Sequence, residues 1–525
     1  MSAQSPAPLA APAAPTTPLR IKCLSLTDFR AFPGQAQADF NLDGNNLLVY
    51  GENGAGKSSL FHALGGFFSL KPPQALREHK NVFSGLPDTD CRVAVKFSNG
   101  DDWVEWTTSR HPCISTARRP AGNWYSFAFG NADSRAISTA QRASFLDYRA
   151  LLDTNYKQGN GPINLFDIAV EHLLRDFPVA TAGGTSTTIG ALWDAVVRSK
   201  PGKHTNAALT RINQSCVDFN TAFRGAFPVL VPLVNELMQL LGWKDVEIKG
   251  FNTPGLTYNN ARLKQNRAID GQKLEPELSF RNHPLRTPQL FLNEARLSAL
   301  GLSIYLAGRL ACTPTATATA LKLLVLDDVV IGLDYSNRLP LLDVLNSQFA
   351  DWQIVLLTHD RNWFDLARSH LPEPGWNCVE VYEGDGAATA PMPIIRPTQN
   401  RPARALLAKA KELIATPYVE AAANYTRQAF ELGVRAACEL KKIEMRYTTD
   451  PKAHQAQDFL DKLIGWTATG SVKQADWDAA LARLRTLKNV VMNPYSHPDA
   501  PNIPKAEVEQ AIGAVEIFLD LAAKK

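Results

Sequence analysis

One glycine-rich segment constrains the fold of this chain more than any other feature. Residues 51–58 read GENGAGKS, with the spacing G-x-x-x-x-G-K-S, and lie between the apolar run 46–50 and a helical pattern. Glycines let the backbone curl so that its N–H groups face a phosphate, and the amino end of the following helix adds positive potential. The order strand, loop and helix therefore predicts an α/β domain with a phosphate-binding loop.

The same loop predicts how a nucleotide is held. Lys57 is expected to reach the β- and γ-phosphates of ATP, and the hydroxyl of Ser58 to bind Mg²⁺. ATP and Mg²⁺ are therefore the expected cofactors. The residues of this segment expected to contact the nucleotide are Gly51, Glu52, Asn53, Gly54, Ala55, Gly56, Lys57, Ser58 and Ser59.

An apolar run that ends in two carboxylates forms the second part of the predicted site. Residues 323–328 read LLVLDD, the pattern of a buried strand followed by acidic residues. An unpaired carboxylate at a buried strand end is costly, so we expect Asp327 to bind Mg²⁺ together with Ser58. Asp328 is placed to polarise the attacking water as a catalytic carboxylate.

Four further segments carry a family resemblance. They are LTDFRAF at 26–32, LNEAR at 292–296 ahead of a helical pattern, GLD at 332–334 and LLTHD at 356–360. Together with the two motifs above, they make residues 19–390 resemble the SMC, RecF and OLD branch of ABC-type ATPases.

This resemblance implies roles for three more residues. Arg30 would lie along the nucleotide, His359 would act near the γ-phosphate, and Asn293 would grip ATP bound by a second subunit. A homodimer of ATPase heads or a higher oligomer is therefore expected. Asn293 stands where serine is usual in the family, Ala295 where glycine is usual, and Asp328 where glutamate is commoner. Slow hydrolysis, with ATP acting partly as a switch, follows from these departures.

Changes of pattern along the chain predict its domains. The expected architecture is an α/β P-loop ABC ATPase head with a helical insertion, plus an all-α C-terminal domain. The pattern becomes mostly helical from Ser144, and proline-rich punctuation within 391–400 indicates a linker. The expected divisions are a disordered tail at 1–18, an N-terminal lobe at 19–143, the insertion at 144–245, a C-terminal lobe at 246–396 and the helical domain at 401–525.

The C-terminal segment contains a second candidate site. Arg427 and Glu431 are spaced to share one helix face, as are Arg435 and Glu439, and His497 follows later in the sequence NPYSH. This combination resembles HEPN-type domains and the arginine, glutamate and histidine set of PrrC/RloC-like anticodon nucleases. The resemblance implies an RNase site at Arg427, Glu431 and His497. The alternative is that the same residues only tie helices together.

Composition sets the remaining bounds. The net charge of +4 is small for 525 residues, so nucleic acid, DNA or tRNA, is neither demanded nor excluded as a partner. A local basic stretch, at Arg198, Lys200, Lys203, His204 and Arg211, is either a solvated face or a contact for nucleic acid or a partner. Seven cysteines without a CxxC pair fit a reducing cytosol, and no apolar run approaches the ~18 residues of a membrane span. A cytoplasmic protein without membrane contact is expected.

Three functions are consistent with these features. The first is a nucleotide-dependent sensor or switch in bacterial antiphage defence, of the Septu (PtuA-like) or PrrC/RloC-like kind, that controls a partner nuclease. The second is a tRNA anticodon ribonuclease gated by ATP through its own C-terminal domain. The third is a DNA-repair ATPase that binds DNA ends or gaps. No TOPRIM-like acidic cluster follows the head, which argues against an OLD nuclease.

Overall fold

The computed structural model of the chain describes residues 18–34, 38–114, 132–140, 142–151, 164–175, 177–180, 186–202, 205–311, 320–372, 375–384, 392–398, 402–445, 455–468, 470–489 and 504–524. The chain divides into two units, Met1–Arg396 and Pro397–Lys525. The first unit is mixed α/β, as the sequence predicts, and the described residues after Thr398 form helices without a strand.

The strands form two large sheets and three small ones. They are β1 (Ile21–Thr27), β2 (Ala38–Asn41), β3 (Asn46–Gly51), β4 (Arg92–Phe97), β5 (Trp103–Thr107), β6 (Arg110–Ile114), β7 (Ala143–Asp147), β8 (Pro178–Ala180), β9 (Ser186–Thr188), β10 (Val246–Asn252), β11 (Thr257–Asn259), β12 (Ala268–Asp270), β13 (Glu275–Phe280), β14 (His283–Leu285), β15 (Leu323–Asp327), β16 (Gln353–Thr358), β17 (Trp376–Tyr382) and β18 (Ile394–Thr398).

The main helices of the first unit lie between these strands. They are α1 (Lys57–Phe68), α2 (Ser134–Ala140), α3 (Ile189–Arg198), α4 (Asn206–Leu240), α5 (Glu294–Ala311), α6 (Tyr335–Gln348) and α7 (Arg361–His370). Shorter helical turns are Pro73–His79, Asp88–Asp90, Phe166–Ile168, Ala169–Leu173, Lys264–Asn266 and Pro288–Phe291. Among the described helices, none has the length and apolar character that a membrane span requires.

A six-stranded sheet organises the first unit, with the order β18-β17-β3-β16-β15-β7. The neighbours from β17 through β3, β16 and β15 to β7 all pair in parallel. Every residue of β15 and β16 is buried, as expected for parallel strands covered on both faces. Because parallel strands end at the same edge, the loops after β3, β7, β15 and β16 meet there.

Helix α1 shares a hydrophobic core with both large sheets. The five-stranded antiparallel sheet has the order β2-β1-β4-β5-β6. Side chains of α1, such as Leu64 and Phe67, join one buried cluster with Trp106 of β5 and Val325 of β15. The helix that follows the phosphate-binding loop is therefore fixed by burial on two sides.

The long helix α4 packs along α5 and against β10. The carboxamide of Asn235 accepts a hydrogen bond from the Ile248 N–H at 2.8 Å and donates to the Ile248 carbonyl at 2.9 Å. Asn337 of α6 donates to the Leu241 carbonyl at 2.7 Å, just beyond the end of α4. These contacts tie α4 to β10 and the end of α4 to α6.

Two predictions of local structure are wrong. The segment from Ser144, for which a mostly helical pattern is predicted, begins within the strand Ala143–Asp147. Five residues are too few for their pattern to distinguish a helix from a strand, and pairing with β15 selects the strand. The linker predicted within 391–400 contains β18 over Ile394–Thr398, at the edge of the six-stranded sheet. Proline lacks an N–H group, and an edge strand tolerates that loss on its open side.

The described residues of the second unit beyond β18 form helices that surround a hydrophobic core. They are α8 (Pro402–Ile414), α9 (Val419–Leu440), α10 (Ala456–Ile464), α11 (Gln474–Leu487) and α12 (Lys505–Ala523). Helix α9 packs against α8, α10 and α12. Trp477 is fully buried and contacts the rings of Trp466 and Phe518, with centroids 4.9 Å and 5.7 Å away.

Gly66 permits the close approach of α1 to the five-stranded sheet. A Cβ atom at Gly66 would lie 2.5 Å from two ring atoms of the fully buried Trp106. At the neighbouring Gly65, a Cβ atom would meet the ring of Phe145 at 3.8 Å, an ordinary contact. Only the first position therefore needs glycine for packing.

We predict that Gly66→Ala lowers the free energy of unfolding by about 1 to 3 kcal/mol, because overpacking outweighs the better helix propensity of alanine. Gly65→Ala is the matched control, and it should be neutral or stabilise by up to about 1 kcal/mol. Chemical unfolding of both variants measures the difference. Equal stabilities would contradict the packing assigned to Gly66.

Candidate functional site

The loop between β3 and α1 has a backbone that only glycine adopts easily. Gly54 and Gly56 have φ values of 92° and 107°, in the left-handed region. A Cβ atom at Gly51 would lie 2.8 Å from the Val381 carbonyl of the neighbouring strand β17. The glycine spacing therefore has a steric cause at three positions of the loop.

Lys57 closes this loop from the first position of α1. Its ammonium donates to the Gly51 carbonyl at 2.5 Å and to the Glu52 carbonyl at 3.1 Å. Burial lowers the pKa of Lys57, and the carboxylates of Asp328 and Asp327 oppose that shift. The cation is therefore held inside the loop, where it can interact with a phosphate.

Ser58 and Asp327 meet at the end of β15. The Ser58 hydroxyl donates to Asp327 Oδ2 at 3.3 Å, while Asp327 Oδ1 is buried without a hydrogen-bond partner. Burial, reinforced by the charge of Asp328, raises the pKa of Asp327 to about 6. A buried carboxylate oxygen beside a hydroxyl fits Mg²⁺, which prefers oxygen ligands.

The protein ligands at this place are few. Within the described ranges, no three His, Cys, Asp or Glu side chains form a group that could enclose a metal ion. Mg²⁺ commonly binds one or two carboxylates together with substrate phosphates and water, so Ser58 and Asp327 suffice as a starting set.

Asp328 turns away from the strand and contacts His359. Its φ of 55° lies in the left-handed region, and its N–H donates to the Leu357 carbonyl at 3.0 Å. Asp328 Oδ1 accepts a hydrogen bond from the His359 backbone N–H and lies against His359 Nδ1, both at 2.9 Å. The carboxylate is thus fixed in orientation at the end of β16.

Arg30 lines the same cleft as Lys57 and Asp328. Its backbone has a φ of 49°, its N–H donates to the His79 carbonyl at 2.6 Å, and its carbonyl accepts from Asn81 Nδ2 at 2.6 Å. Burial lowers the pKa of Arg30. Burial and the charge of Arg30 also lower the pKa of His79, which leaves that imidazole uncharged near neutral pH.

Arg30, Lys57, Ser58 and Asp328 line one cleft of about 620 Å³, a volume that suits a nucleotide. The cleft contains Arg30, Asn53, Gly54, Gly56, Lys57, Ser58, Ser59 and Asp328 from the predicted set. Besides Asn293, the predicted nucleotide-site residues that do not line it are Gly51, Glu52, Ala55, Asp327 and His359, although Asp327 contacts Ser58 and His359 contacts Asp328. Sequence reasoning missed the other lining residues, which are Ala31, Glu78, His79, Lys80, Val82, Tyr148 and Arg149. Tyr148 and Arg149 follow Asp147, and a short apolar strand that ends in an acidic residue is the signal that could have found them.

Asn293 lies outside that cleft. It is exposed, and its Oδ1 accepts a hydrogen bond from the Arg296 N–H at 3.1 Å, so it caps the amino end of α5. Arg296 is anchored by Asp245 at 3.0 Å and lies over the Trp243 ring at 4.9 Å. The first turn of α5 is therefore held firmly, with Asn293 facing outward.

The second candidate site is described in part. On α9, Arg427 Nε donates to Glu431 Oε1 at 2.8 Å, with about one third of each side chain exposed. The Arg435 guanidinium lies over the Phe459 ring at 5.5 Å. His497 lies outside the described residues, as do Lys203 and His204 of the predicted basic stretch, whereas Arg198, Lys200 and Arg211 are exposed.

Comparison with known proteins adds one family match. Residues 23–118 match the family model described as an AAA domain. No functionally curated protein matches the sequence. The match begins within β1, extends through β6 and includes the whole phosphate-binding loop, which supports a nucleotide-binding domain of this type in the first unit.

Several solved structures are similar at low identity. A Pyrococcus furiosus Smc head domain bound to the C-terminal domain of ScpA is 12% identical, with 75% of this chain and 100% of that chain covered and a TM-score of 0.38. The recombination mediator protein RecF with ATP is 11% identical, with 74% and 100% covered and a TM-score of 0.42. An SMC head domain from Thermotoga maritima is 13% identical, with 72% and 99% covered and a TM-score of 0.32.

We predict that Asp327→Asn stabilises the nucleotide-free protein, and more so at alkaline pH. Because the pKa of Asp327 is raised to about 6, folding favours its neutral form, and stability is lost as pH rises from about 4 through 6. The ionised side chain then costs up to about 3 kcal/mol at pH 8 and about half of that at pH 5. Thermal unfolding of wild type and variant at the two pH values measures this difference.

The exposed Asp43 provides the control, since Asp43→Asn removes a carboxylate without changing a buried charge. That variant should unfold like the wild type at both pH values. An Asp327→Asn protein that is no more stable than wild type at pH 8 would show that the buried carboxylate is not strained.

Proposed function

We propose that this chain binds and hydrolyses Mg-ATP in the cleft between β3, β15 and β16. The observation that carries the proposal is the convergence of Lys57, the pair Ser58–Asp327 and the pair Asp328–His359 at one sheet edge. A phosphate-binding loop, a metal-binding carboxylate and a fixed second carboxylate are the parts that phosphoryl transfer to water requires.

Each residue of the cleft has a proposed role. The loop N–H groups and Lys57 bind the β- and γ-phosphates, and Arg30 lies along the nucleotide. Ser58 and Asp327 would hold Mg²⁺, which would supply charge compensation at the phosphate oxygens. Asp328 orients the attacking water and accepts its proton, and His359 keeps that carboxylate in place through the 2.9 Å contact at Nδ1.

We further propose that two heads close around ATP, with Asn293 of each directed to the γ-phosphate held by the other. Asn293 is exposed at the amino end of an 18-residue helix, where free N–H groups favour an anion. The adjacent Leu290 and Phe291 are 69% and 59% exposed. An apolar surface of this kind is favoured where a second protein covers it.

Two variants test the proposed ATP binding and hydrolysis. Lys57→Ala should lose both ATP binding and hydrolysis, because it removes the cation of the loop. Asp328→Asn should still bind ATP but hydrolyse it about a hundredfold more slowly, since Lys57, Ser58 and Asp327 remain. Asparagine also tolerates the left-handed backbone at this position. Hydrolysis by Asp328→Asn at the wild-type rate would exclude Asp328 as the water-orienting group.

The same stalled variant tests assembly. Mg-ATP should double the molecular mass of Asp328→Asn in light scattering, and Asn293→Arg in that background should prevent the increase by steric clash. To separate a constitutive dimer through the second unit, the measurement is repeated without residues 401–525. An unchanged monomer with and without Mg-ATP would remove the head-dimer mechanism while leaving ATP hydrolysis unaffected.

For the biological role we propose a switch in bacterial antiphage defence that controls a nuclease, either a partner or the second unit itself. What supports a site in the second unit is the Arg427–Glu431 pair, which is accessible on α9. In a ribonuclease, Arg427 would hold the scissile phosphate, Glu431 would orient that arginine, and His497 would act as acid and base.

Three alanine variants separate these readings in cells challenged with phage, together with any neighbouring gene. The pair Arg404–Asp520 is an ion pair of similar exposure in the same unit, so Arg404→Ala is the control for Arg427→Ala. Each loss should cost about 1 kcal/mol or less in stability. If the unit is a nuclease, Arg427→Ala and His497→Ala abolish RNA cleavage at unchanged protein yield, and Arg404→Ala does not. If Arg427→Ala and His497→Ala both protect the cells against phage as well as the wild type does, the second unit is a docking domain and not a nuclease.

A further inference from the structure

A second aspartate ends the strand beside the one that carries Asp327. Strands β7 and β15 run parallel, and Asp147 is paired with Asp327 in their register. Directly paired residues of neighbouring strands point to the same face of a sheet, on strands about 4.8 Å apart. Asp147 therefore leaves the sheet on the side where Ser58 contacts Asp327.

The local role of Asp147 uses only part of its carboxylate. Its Oδ1 accepts a hydrogen bond from the Ala150 N–H at 2.9 Å and so caps the turn that follows β7. A carboxylate offers about four lone-pair positions, so acceptor capacity remains. The side chain is half-buried, and the next two residues, Tyr148 and Arg149, line the nucleotide cleft.

A separate observation points to a cation at this place. Asp327 is 6% exposed, and its Oδ1 is buried without a hydrogen-bond partner. Asp328 and Asp147 add negative charge nearby, and Lys57, whose ammonium hydrogen-bonds to loop carbonyls, is the cation that opposes them. Oxygen donors that face a buried, unpartnered carboxylate oxygen suit a small divalent cation.

The geometry points to Asp147 as a second carboxylate for the Mg²⁺ of the nucleotide site, beside Ser58 and Asp327. The inference rests on the proposed function, since this Mg²⁺ arrives with the nucleotide. It assigns a residue that neither sequence motif contains, and it explains why a strand outside those motifs ends at this point of the sheet. Two carboxylates make nucleotide binding depend strongly on the metal, because without Mg²⁺ they repel the phosphates.

The test uses Asp147→Asn, in which the side-chain oxygen still caps the turn but the charge is gone. Binding of a fluorescent, non-hydrolysable ATP analogue is measured in EDTA and during titration with MgCl₂. Without Mg²⁺ the variant should bind the analogue at least as tightly as wild type. It should need at least about tenfold more Mg²⁺ for half-maximal enhancement of binding.

Asp43→Asn is the matched control, because Asp43 is exposed and lies just before the opposite end of β3. It should need the same Mg²⁺ concentration as wild type. A Mg²⁺ requirement of Asp147→Asn equal to that of wild type overturns the inference while ATP binding stands. Wild-type protein that does not bind the analogue at all would instead refute the proposed function.

Asp147→Cys with CdCl₂ gives a second measurement that does not depend on the asparagine variant folding well. A thiolate prefers Cd²⁺ to Mg²⁺, so a direct ligand at this position should make Cd²⁺ more effective than Mg²⁺ in promoting analogue binding. Asp43→Cys, compared in parallel, accounts for the other cysteines and should show no such preference. The same metal preference in both cysteine variants would also overturn the inference.

Discussion

The parallel register of β3, β16, β15 and β7 positions the phosphate-binding loop and the carboxylates of the first site. Val49 pairs with Leu357, Leu357 with Asp327, and Asp327 with Asp147, so four strands end side by side. Backbone hydrogen bonds between strands fix this alignment, and a slip of one residue would turn each acidic side chain to the other face. The phosphate-binding loop and its carboxylates are therefore held by the sheet, and the loops between them are free to differ.

Charge balance at this edge favours binding over stability of the free protein. Lys57 is buried although burial favours the neutral amine and lowers its pKa. Asp327 is buried with one carboxylate oxygen that has no hydrogen-bond partner. Each group is strained alone, and each lowers the cost of the other through their opposite charges. A site that is strained without its ligand and relieved by it is typical of functional positions.

The sequence revealed the parts of the site that are contiguous in the chain. The glycine loop, Asp327 and Asp328 lie in short motifs whose residues have a direct steric or electrostatic reason, and His359 was predicted through the family resemblance. Asp147 and the cleft wall at residues 78–82 depend on strand pairing and loop packing, which no local pattern encodes. For the same reason β7 resembled a helix, and the edge strand β18 was hidden by prolines. The roles of Asn293 and His497 stay predictions, because Asn293 would act on ATP held by a second head and His497 lies outside the described residues.

Backbone strain gives the last link between the sheet and the chemistry. Arg30 and Asp328, which line the same cleft, both have positive φ values, which are uncommon for residues with a side chain. At Asp328 this conformation ends the strand direction, so its carboxylate meets His359 and does not continue along β15. Consecutive aspartates in a regular strand would point to opposite faces, and only one could serve the cleft. The left-handed turn brings Asp328 into the cleft that Ser58 lines, while Asp327 contacts the Ser58 hydroxyl. The strain at Asp328 is thus the structural condition for having the proposed metal-binding carboxylate and the proposed water-orienting carboxylate adjacent in sequence.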